Sequence, residues 1–224
     1  MRHALILAAG RGERMRPLTD TTPKPLLEVH GKPLIVHHIE KLAAAGVKYI
    51  AINTSHLADQ FPDALGDGSR WSVRLRYSYE GPTPLETGGG MLKALPLLGS
   101  EPFIVVSADI WSDIEYATLP LAPAGLAHLV MVPNPDFHPK GDFSLLDGVL
   151  YDDAAPAHAE RLTFGNVGVY RPEIVAGEPA GAFKLAPMYR RAIAQGRLSG
   201  ERYDGFWRNV GSPAQLESLR RDVG

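Results

Sequence analysis

Short apolar runs separated by helix-length segments constrain the fold of this chain more than any other feature. The runs Ala4–Ala8, Val47–Asn53 and Phe103–Ser107 are mostly apolar and have the length of single strands. Strands without a polar face are typical of a parallel sheet that helices cover on both sides. We therefore predict a three-layer α/β domain with a mainly parallel sheet.

Two helices between and after these runs have clear beginnings and ends. Pro33–Ala45 carries apolar residues at helical spacing and is followed by Gly46, which can end a helix. Near the C-terminus, Ser212 is a candidate N-cap, Pro213 suits the first helical position, and Gln215 completes a capping box. These signals predict an alternation of strands and helices along most of the chain.

The middle of the chain is rich in proline and glycine and predicts a smaller lobe at one edge of the sheet. Pro133–Gly141 contains three prolines and reads as a loop. Phe143–Tyr151 contains Asp147-Gly148, a strong hairpin signal, and Arg161–Tyr170 reads as a long strand.

Composition excludes several classes of protein. The 224 residues include no cysteine, which excludes disulfide frameworks, cysteine-ligated metal sites and thiol nucleophiles. The 23 Lys and Arg against 25 Asp and Glu argue against a nucleic-acid partner. The N-terminal apolar run is short and continues directly into Gly10, so it predicts a buried strand instead of a leader or a membrane span. We expect a soluble, cytoplasmic monomer.

The most informative stretch follows that first strand. Gly10 and Gly12 allow the backbone to turn sharply and to approach a ligand closely, and successive N–H groups in such a turn can cradle phosphates. Arg14 adds positive charge, and Lys24 stands between two prolines that stiffen its backbone. A lone Gly-x-Gly is equally typical of a tight strand-to-helix turn, but the added cations favour a phosphate ligand.

Two common phosphate motifs are absent. The dinucleotide fingerprint needs a third glycine where Met15 stands, and the Gly31-Lys32 pair is followed by Pro33 instead of Ser or Thr. The whole run, Gly-x-Gly-x-Arg-Met-x-Pro-Leu-Thr followed by Pro-Lys-Pro, resembles the signature of the sugar-phosphate nucleotidyltransferases. That resemblance covers nearly the whole chain. It implies a single domain with a Rossmann-like three-layer nucleotidyltransferase fold, a nucleotide half over residues 1–112 and a small sugar-binding lobe within 113–224.

The resemblance also implies roles for individual residues on the nucleotide side. Arg14 and Lys24 match the catalytic cations of the family. A carboxylate at Glu80, where many relatives carry glutamine, would accept a hydrogen bond from uracil N3–H. The residues implied to contact the nucleotide are Ala8, Ala9, Gly10, Arg11, Gly12, Glu13, Glu80 and Gly88.

A magnesium site is predicted where an apolar strand ends in an acid. Asp109 follows Phe103–Ser107, and ligands of open α/β sheets bind at the carboxyl ends of strands. A carboxylate there suits Mg²⁺, although a helix-capping role is the alternative. The family resemblance places the second ligand at Asn209, where relatives carry aspartate, with nearby Asp204 as the fallback.

The sugar site implied by the resemblance consists of Gly141, Asn166 and Glu160. The short length of the chain and its segment Leu85–Gly90 resemble those of family members that act on N-acetylmuramate 1-phosphate in cell-wall sugar recycling. Charge alone makes Lys140 and Arg202 candidates for the carboxylate of that sugar's lactyl group.

The implied reaction is transfer of a uridylyl group from UTP to the sugar 1-phosphate, with Mg²⁺ as cofactor. Three alternatives stay open. They are uridylyl or thymidylyl transfer to glucose or N-acetylglucosamine 1-phosphate, a non-catalytic nucleotide-sugar sensor, and a glycosyltransferase. The last class typically carries Asp-x-Asp after a strand, whereas this chain has Asp109-Ile110-Trp111.

Overall fold

The computed structural model describes residues 2–222, which form one large sheet flanked by helices. The strands are β1 (His3–Leu7), β2 (Glu28–Val29), β3 (Lys32–Pro33), β4 (Tyr49–Thr54), β5 (Arg74–Tyr79), β6 (Phe103–Ser107), β7 (Ile110–Ser112), β8 (Ala127–Val132), β9 (Phe143–Leu146), β10 (Val149–Tyr151), β11 (Glu160–Tyr170), β12 (Leu198–Arg202) and β13 (Trp207–Asn209). The α-helices are α1 (Leu34–Ala44), α2 (Gln60–Leu65), α3 (Glu86–Leu98), α4 (Ala186–Ala194) and α5 (Pro213–Asp222). Within residues 2–222, no helix combines the length and apolar character that crossing a membrane requires.

The central sheet has nine strands in the order β5-β4-β1-β6-β11-β8-β12-β10-β9. The first four strands in that order are parallel, as the sequence predicts. Beyond β6 the pairings are antiparallel except for β8 with β12, so the complete sheet is mixed. One of these antiparallel pairings is set locally, because β9 and β10 are joined by Asp147 and Gly148, which both have positive φ, and so tight a turn joins only antiparallel strands.

The predicted three layers are confirmed by the alternating side chains of β1. Ala4 and Ile6 pack in one apolar cluster with residues of α1 and α2. Leu5 points to the other face and packs in a second cluster with residues of α3 and α4. Because both faces are buried, β1 carries no polar side chain between His3 and Leu7.

The C-terminal segment returns to the N-terminal half. Strand β13 pairs with β7, and Leu216 and Leu219 of α5 pack against Met15 and Val29. Residues that follow the predicted boundary at position 112 therefore pack against residues that precede it, so the two predicted halves are not separate in space. The predicted cap of α5 is present, because Ser212 Oγ accepts the Gln215 N–H at 3.3 Å. The Gln215 side chain, however, accepts from Gly211 N–H at 2.8 Å instead of closing the box on Ser212.

His38 of α1 gives the fold a predictable pH dependence. Its ring is fully buried between the Tyr116 hydroxyl at 2.8 Å and the Ile110 carbonyl at 2.9 Å. Burial lowers the pKa of His38 from 6.5 to about 4. Between these two pKa values, His38 binds a proton in the unfolded chain and stays neutral in the folded chain. The free energy of unfolding should therefore fall by about 3 kcal/mol as pH drops from 7 to 4.

Urea unfolding at several pH values tests this contribution. The His38→Gln variant should show a shallower loss of unfolding free energy between pH 7 and 4 than the parent protein. Parallel curves for the two proteins over that range would contradict the assignment.

Candidate active site

Two adjoining cavities open along the carboxyl ends of the parallel strands. The larger cleft has a volume of about 650 Å³ and the smaller cavity about 470 Å³. Thr87, Ser107 and Asp109 line both, so the two spaces meet at the end of β6. The larger cleft is lined by Leu7, Ala8, Ala9, Gly10, Arg11, Gly12, Glu13, Arg14, Lys24, Pro25, Asn53, Glu80, Pro84, Glu86, Thr87, Ser107, Ala108, Asp109 and Gly211.

The glycine turn after β1 forms one wall of the larger cleft. Gly12 has φ +64°, and a Cβ there would lie 2.9 Å from Thr19 Cγ2 and 3.2 Å from Lys24 Cβ. The Thr19 hydroxyl donates to the Gly12 carbonyl at 2.9 Å, which holds the turn closed. Gly10 differs, because a Cβ there would meet no atom of the described chain within 4 Å. Gly12 is thus required by the fold, whereas the space over Gly10 is open to a ligand.

This contrast predicts opposite effects for two matched alanine variants. Gly12→Ala should lower the free energy of unfolding by about 1–3 kcal/mol, because it combines a left-handed backbone with overpacking. Gly10→Ala should leave that free energy within about 0.5 kcal/mol and instead weaken binding of the UTP that the family resemblance implies. Urea unfolding and calorimetric titration with UTP separate the two outcomes. Equal stability losses in both variants would contradict this account.

Lys24 and Asp109 meet at the junction of the cavities. The Lys24 side chain is 9% exposed, and its Nζ lies 2.8 Å from Asp109 Oδ2. Pro23 and Pro25 flank Lys24 in a 3₁₀ turn that directs the amine inward. Arg14 lines the same cleft beside Gly211, where a Cβ would lie 3.1 Å from Arg14 Nη2. The two predicted cations and the predicted metal ligand are therefore brought together.

A buried hydrogen-bond network joins three strand ends behind the cleft. Asn53 Oδ1 accepts the Ala8 N–H at 2.6 Å, and Asn53 Nδ2 donates to Glu80 Oε1 at 2.6 Å. Glu80 Oε2 accepts the Leu85 N–H at 2.6 Å. Burial raises the pKa of Glu80, and these donated hydrogen bonds oppose that rise. A Cβ on Gly90 would lie 2.3 Å from Glu80 Oε1, so α3 approaches the network only because Gly90 has no side chain.

The structure places Gly88 differently from the prediction. Its N–H donates to the Phe183 carbonyl at 2.8 Å, and a Cβ there would lie 2.4 Å from the Phe183 ring. Gly88 therefore packs against the segment before α4 and does not line the cleft, where Glu86 and Thr87 lie instead. Gly88 lies in the first turn of α3, which begins at Glu86.

The predicted metal ligands are Asp109, in the turn between β6 and β7, and Asn209 of β13, which pairs with β7. Asn209 of β13 is in register with Ile110, and the Val210 N–H donates to the Asp109 carbonyl at 2.8 Å. Asp109 and Asn209 both line the smaller cavity. Asp204 lines neither cavity and is paired with Arg202 at 2.7 Å. Among residues 2–222, no group of three or more acidic or histidine side chains could enclose a metal, so protein ligands alone would not complete a site.

Asn166 lines the smaller cavity because β11 is irregular there. The register with β8 shifts between Phe164 and Gly168, and Asn166 has φ +59°. Bulges of this kind re-aim side chains near functional sites, and asparagine tolerates the left-handed conformation better than most residues.

Gly141 and Glu160, which the resemblance implies as sugar ligands, do not line either of these two cavities. Gly141 lies against β11, where a Cβ would be 2.7 Å from the Leu162 carbonyl, and Glu160 pairs with Arg202 on the surface. Lys140 is exposed outside both cavities as well.

Several residues of the site were not identified from sequence. Asp142, Tyr189 and Arg190 line the smaller cavity, and Asn53 lies at the larger cleft. Asn53 carried a usable signal, since a polar residue ends an apolar strand there as Asp109 does after β6. No sequence pattern pointed to Tyr189 and Arg190, because helix α4 reaches the cavity only through the packing of distant segments.

Comparison with known proteins places this site in a family. The nucleotidyl transferase family matches residues 3–122. The chain is 48% identical to an N-acetylmuramate alpha-1-phosphate uridylyltransferase of Neisseria meningitidis serogroup B, over 99% of this chain and 98% of that protein. It is 37% identical to a protein of the same name from Caulobacter vibrioides, over 94% of this chain and 92% of the relative.

Solved structures share the fold at low sequence identity. The inositol-1-phosphate CTP transferase of T. maritima matches with a TM-score of 0.78 and 17% identity, over 100% of this chain and 96% of its own. HddC from Yersinia pseudotuberculosis matches with a TM-score of 0.78 and 20% identity over the full length of both chains. The family match and the near-full-length relatives lead to one conclusion: this chain belongs to the nucleotidyl transferase family.

Proposed function

We propose that this protein transfers the uridylyl group of UTP to N-acetylmuramate α-1-phosphate, releasing pyrophosphate, as a step in the recycling of cell-wall sugars. The observation that carries the proposal is the Lys24–Asp109 pair at the junction of two cavities, where a nucleotide and a second substrate can meet. Similarity over almost the full length to relatives with that named activity supports the choice of sugar.

The reaction requires little acid–base chemistry. A phosphate oxygen of the sugar 1-phosphate attacks the α-phosphorus of UTP, the new P–O bond forms, and the bond to the leaving pyrophosphate breaks. Because the attacking oxygen is already anionic, the protein's task is positioning and charge stabilisation. Lys24 and Arg14 supply positive charge on the larger cleft, where the triphosphate would lie.

The network behind the cleft supports a role in nucleotide binding. Backbone N–H groups of the turn from Ala9 to Glu13 are candidates to hold phosphates. Each Glu80 oxygen already accepts one N–H, and a carboxylate has about four acceptor sites. Glu80 therefore retains capacity to accept uracil N3–H, as the family resemblance implies.

The donor set fits a divalent metal, and we propose Mg²⁺. Asp109 and Asn209 would contribute one carboxylate and one amide oxygen, and Mg²⁺ is commonly held by one or two protein ligands together with substrate phosphates. When bound, the ion supplies charge stabilisation to the phosphates. Asp204 is a poorer candidate, because its carboxylate faces Arg202 on the surface.

A pyrophosphate-release assay tests the proposal. The protein is incubated with Mg²⁺, either UTP or dTTP, and one of three sugar 1-phosphates: N-acetylmuramate, N-acetylglucosamine or glucose. We expect release that depends on N-acetylmuramate 1-phosphate and is faster with UTP. Faster release with another sugar would support one of the alternative transferases, and no sugar-dependent release at all would favour a non-catalytic sensor.

Three further expectations from the sequence stay predictions. They are a cytoplasmic location, a monomeric state and the absence of a nucleic-acid partner. Size-exclusion chromatography with light scattering tests the second directly, and a dimer mass at micromolar concentration would contradict it.

A further inference from the structure

The smaller cavity has one permanent positive charge among its lining residues. Its charged lining residues are Asp109, Asp142 and Arg190, and the titratable residues His138 and Tyr189 line it as well. Asp109 is paired with Lys24, and His138 Nε2 lies 3.1 Å from Asp142 Oδ1. The remaining Asp142 oxygen accepts the Phe164 N–H at 2.8 Å. A guanidinium is charged at any physiological pH, so Arg190 is the lining group best suited to a carboxylate.

Arg190 is held from one side only. Its Nε lies 3.0 Å from Asp152 Oδ2, and its side chain is 55% exposed. Within residues 2–222, Asp152 is the ion-pair partner of Arg190, and neither terminal nitrogen of Arg190 donates a hydrogen bond to the protein. The guanidinium is therefore oriented by Asp152 while its terminal N–H fork stays free. Such a fork matches a carboxylate with two parallel hydrogen bonds.

The cations expected from sequence at this place lie elsewhere. Arg202 is engaged by Glu160 and Asp204, and neither it nor Lys140 lines the cavity. Lys184 lines a neighbouring recess of about 200 Å³ that also contains Asn166 and Tyr189. Lys184 is thus the main competitor for an acidic group of the sugar.

We propose that Arg190 binds the lactyl carboxylate of the sugar substrate and thereby selects an acidic sugar 1-phosphate over its neutral analogue. This inference rests on the proposed function, since only a sugar that carries a carboxylate offers such a partner. The cavity joins the nucleotide cleft at Asp109, so a sugar whose phosphate lies at that junction extends into the space that Arg190 borders.

The test compares Arg190→Gln with the parent on three matched substrates. These are N-acetylmuramate 1-phosphate, its lactyl amide, and N-acetylglucosamine 1-phosphate, which lacks the lactyl group. In Arg190→Gln, kcat/KM should fall about 10- to 100-fold for the acid and stay within about threefold for the two neutral sugars. Calorimetric titration with UDP-N-acetylmuramate and UDP-N-acetylglucosamine gives the same comparison without turnover. Arg190→Lys should recover part of the loss.

Arg191→Gln is the matched control. Arg191 lies on the same helix, pairs with Glu178 and lines neither cavity, so its loss removes an equal charge without touching the site. Its selectivity should equal that of the parent. Circular dichroism and thermal unfolding establish that all variants fold.

Each outcome decides the inference. Equal losses for acid and neutral sugars in Arg190→Gln would assign Arg190 to the shared phosphate and overturn the proposal. A selectivity loss in Lys184→Gln instead would overturn it in favour of Lys184. If the parent uses neutral sugars but not N-acetylmuramate 1-phosphate, the proposed function itself fails. If the parent prefers the acid and Arg190→Gln keeps that preference, the function stands and only the inference fails.

Discussion

We expect Lys24→Met to lower kcat for pyrophosphate release by about 10²- to 10³-fold, equivalent to about 3–4 kcal/mol of barrier. Methionine keeps the length and apolar contacts of the buried stem but removes the charge. The amine faces both the cleft and Asp109, so its loss removes charge stabilisation from the phosphates and leaves the carboxylate without its partner. Steady-state kinetics with saturating UTP and sugar 1-phosphate measure the effect.

Lys32→Met provides a matched control. Lys32 pairs with Glu40 at 2.7 Å, a geometry close to that of Lys24 with Asp109, but it lies on the surface and lines neither cavity. Its loss should change kcat less than twofold. If Lys24→Met also stayed within a few-fold of the parent, Lys24 would have no catalytic role and the proposed mechanism would fail.

Asn53→Ala should lower the free energy of unfolding by about 2–5 kcal/mol, the sum of two buried groups left without partners. The Ala8 N–H would lose its acceptor, and Glu80 Oε1 would lose its donor. Because Ala8 begins the glycine turn and Glu80 lines the cleft, UTP binding should weaken as well. Urea unfolding and calorimetric titration with UTP measure the two effects.

Ser55→Ala is the control for Asn53→Ala. It removes one buried hydroxyl two residues along the chain from Asn53. That hydroxyl donates a hydrogen bond to the Gly81 carbonyl at 2.7 Å. This variant should lose about 1 kcal/mol and bind UTP normally. Equal behaviour of the two variants would show that Asn53 has no special connection to the cleft.

Asn53→Asp adds a pH test of the same network. The Asn53 amide now lies 2.6 Å from Glu80 Oε1, and the new carboxylate would take its place. Because two negative charges repel each other at that distance, the folded pair would retain a proton. The pKa of the pair is then higher in the folded than in the unfolded chain. The variant should therefore be closest to the parent at low pH and lose stability relative to it as pH rises. A constant difference between pH 4.5 and 8 would contradict this prediction.

Local sequence patterns predicted much of the fold. The glycine after α1, the Asp147-Gly148 turn and the cap at Ser212 act within a few residues of chain, so they were readable from sequence. The mixed character of the sheet could not be predicted from the sequence, because strand direction beyond β6 depends on which distant strands pair. The position of Gly88 has a similar cause, since its N–H donates to the carbonyl of the distant residue Phe183.

The amino-acid sequence by itself determined a three-layer α/β chain with a phosphate-suited turn, a stiff lysine and an acid at a strand end, since neighbouring residues set all of these. Only the tertiary structure decided which distant groups share a cavity. It joined Lys24 to Asp109, placed Asn53 behind the turn and brought Arg190 to the smaller cavity, whose lining does not include Gly141 or Glu160. Hydrogen bonding and close packing between remote segments make those choices, and no local pattern encodes them.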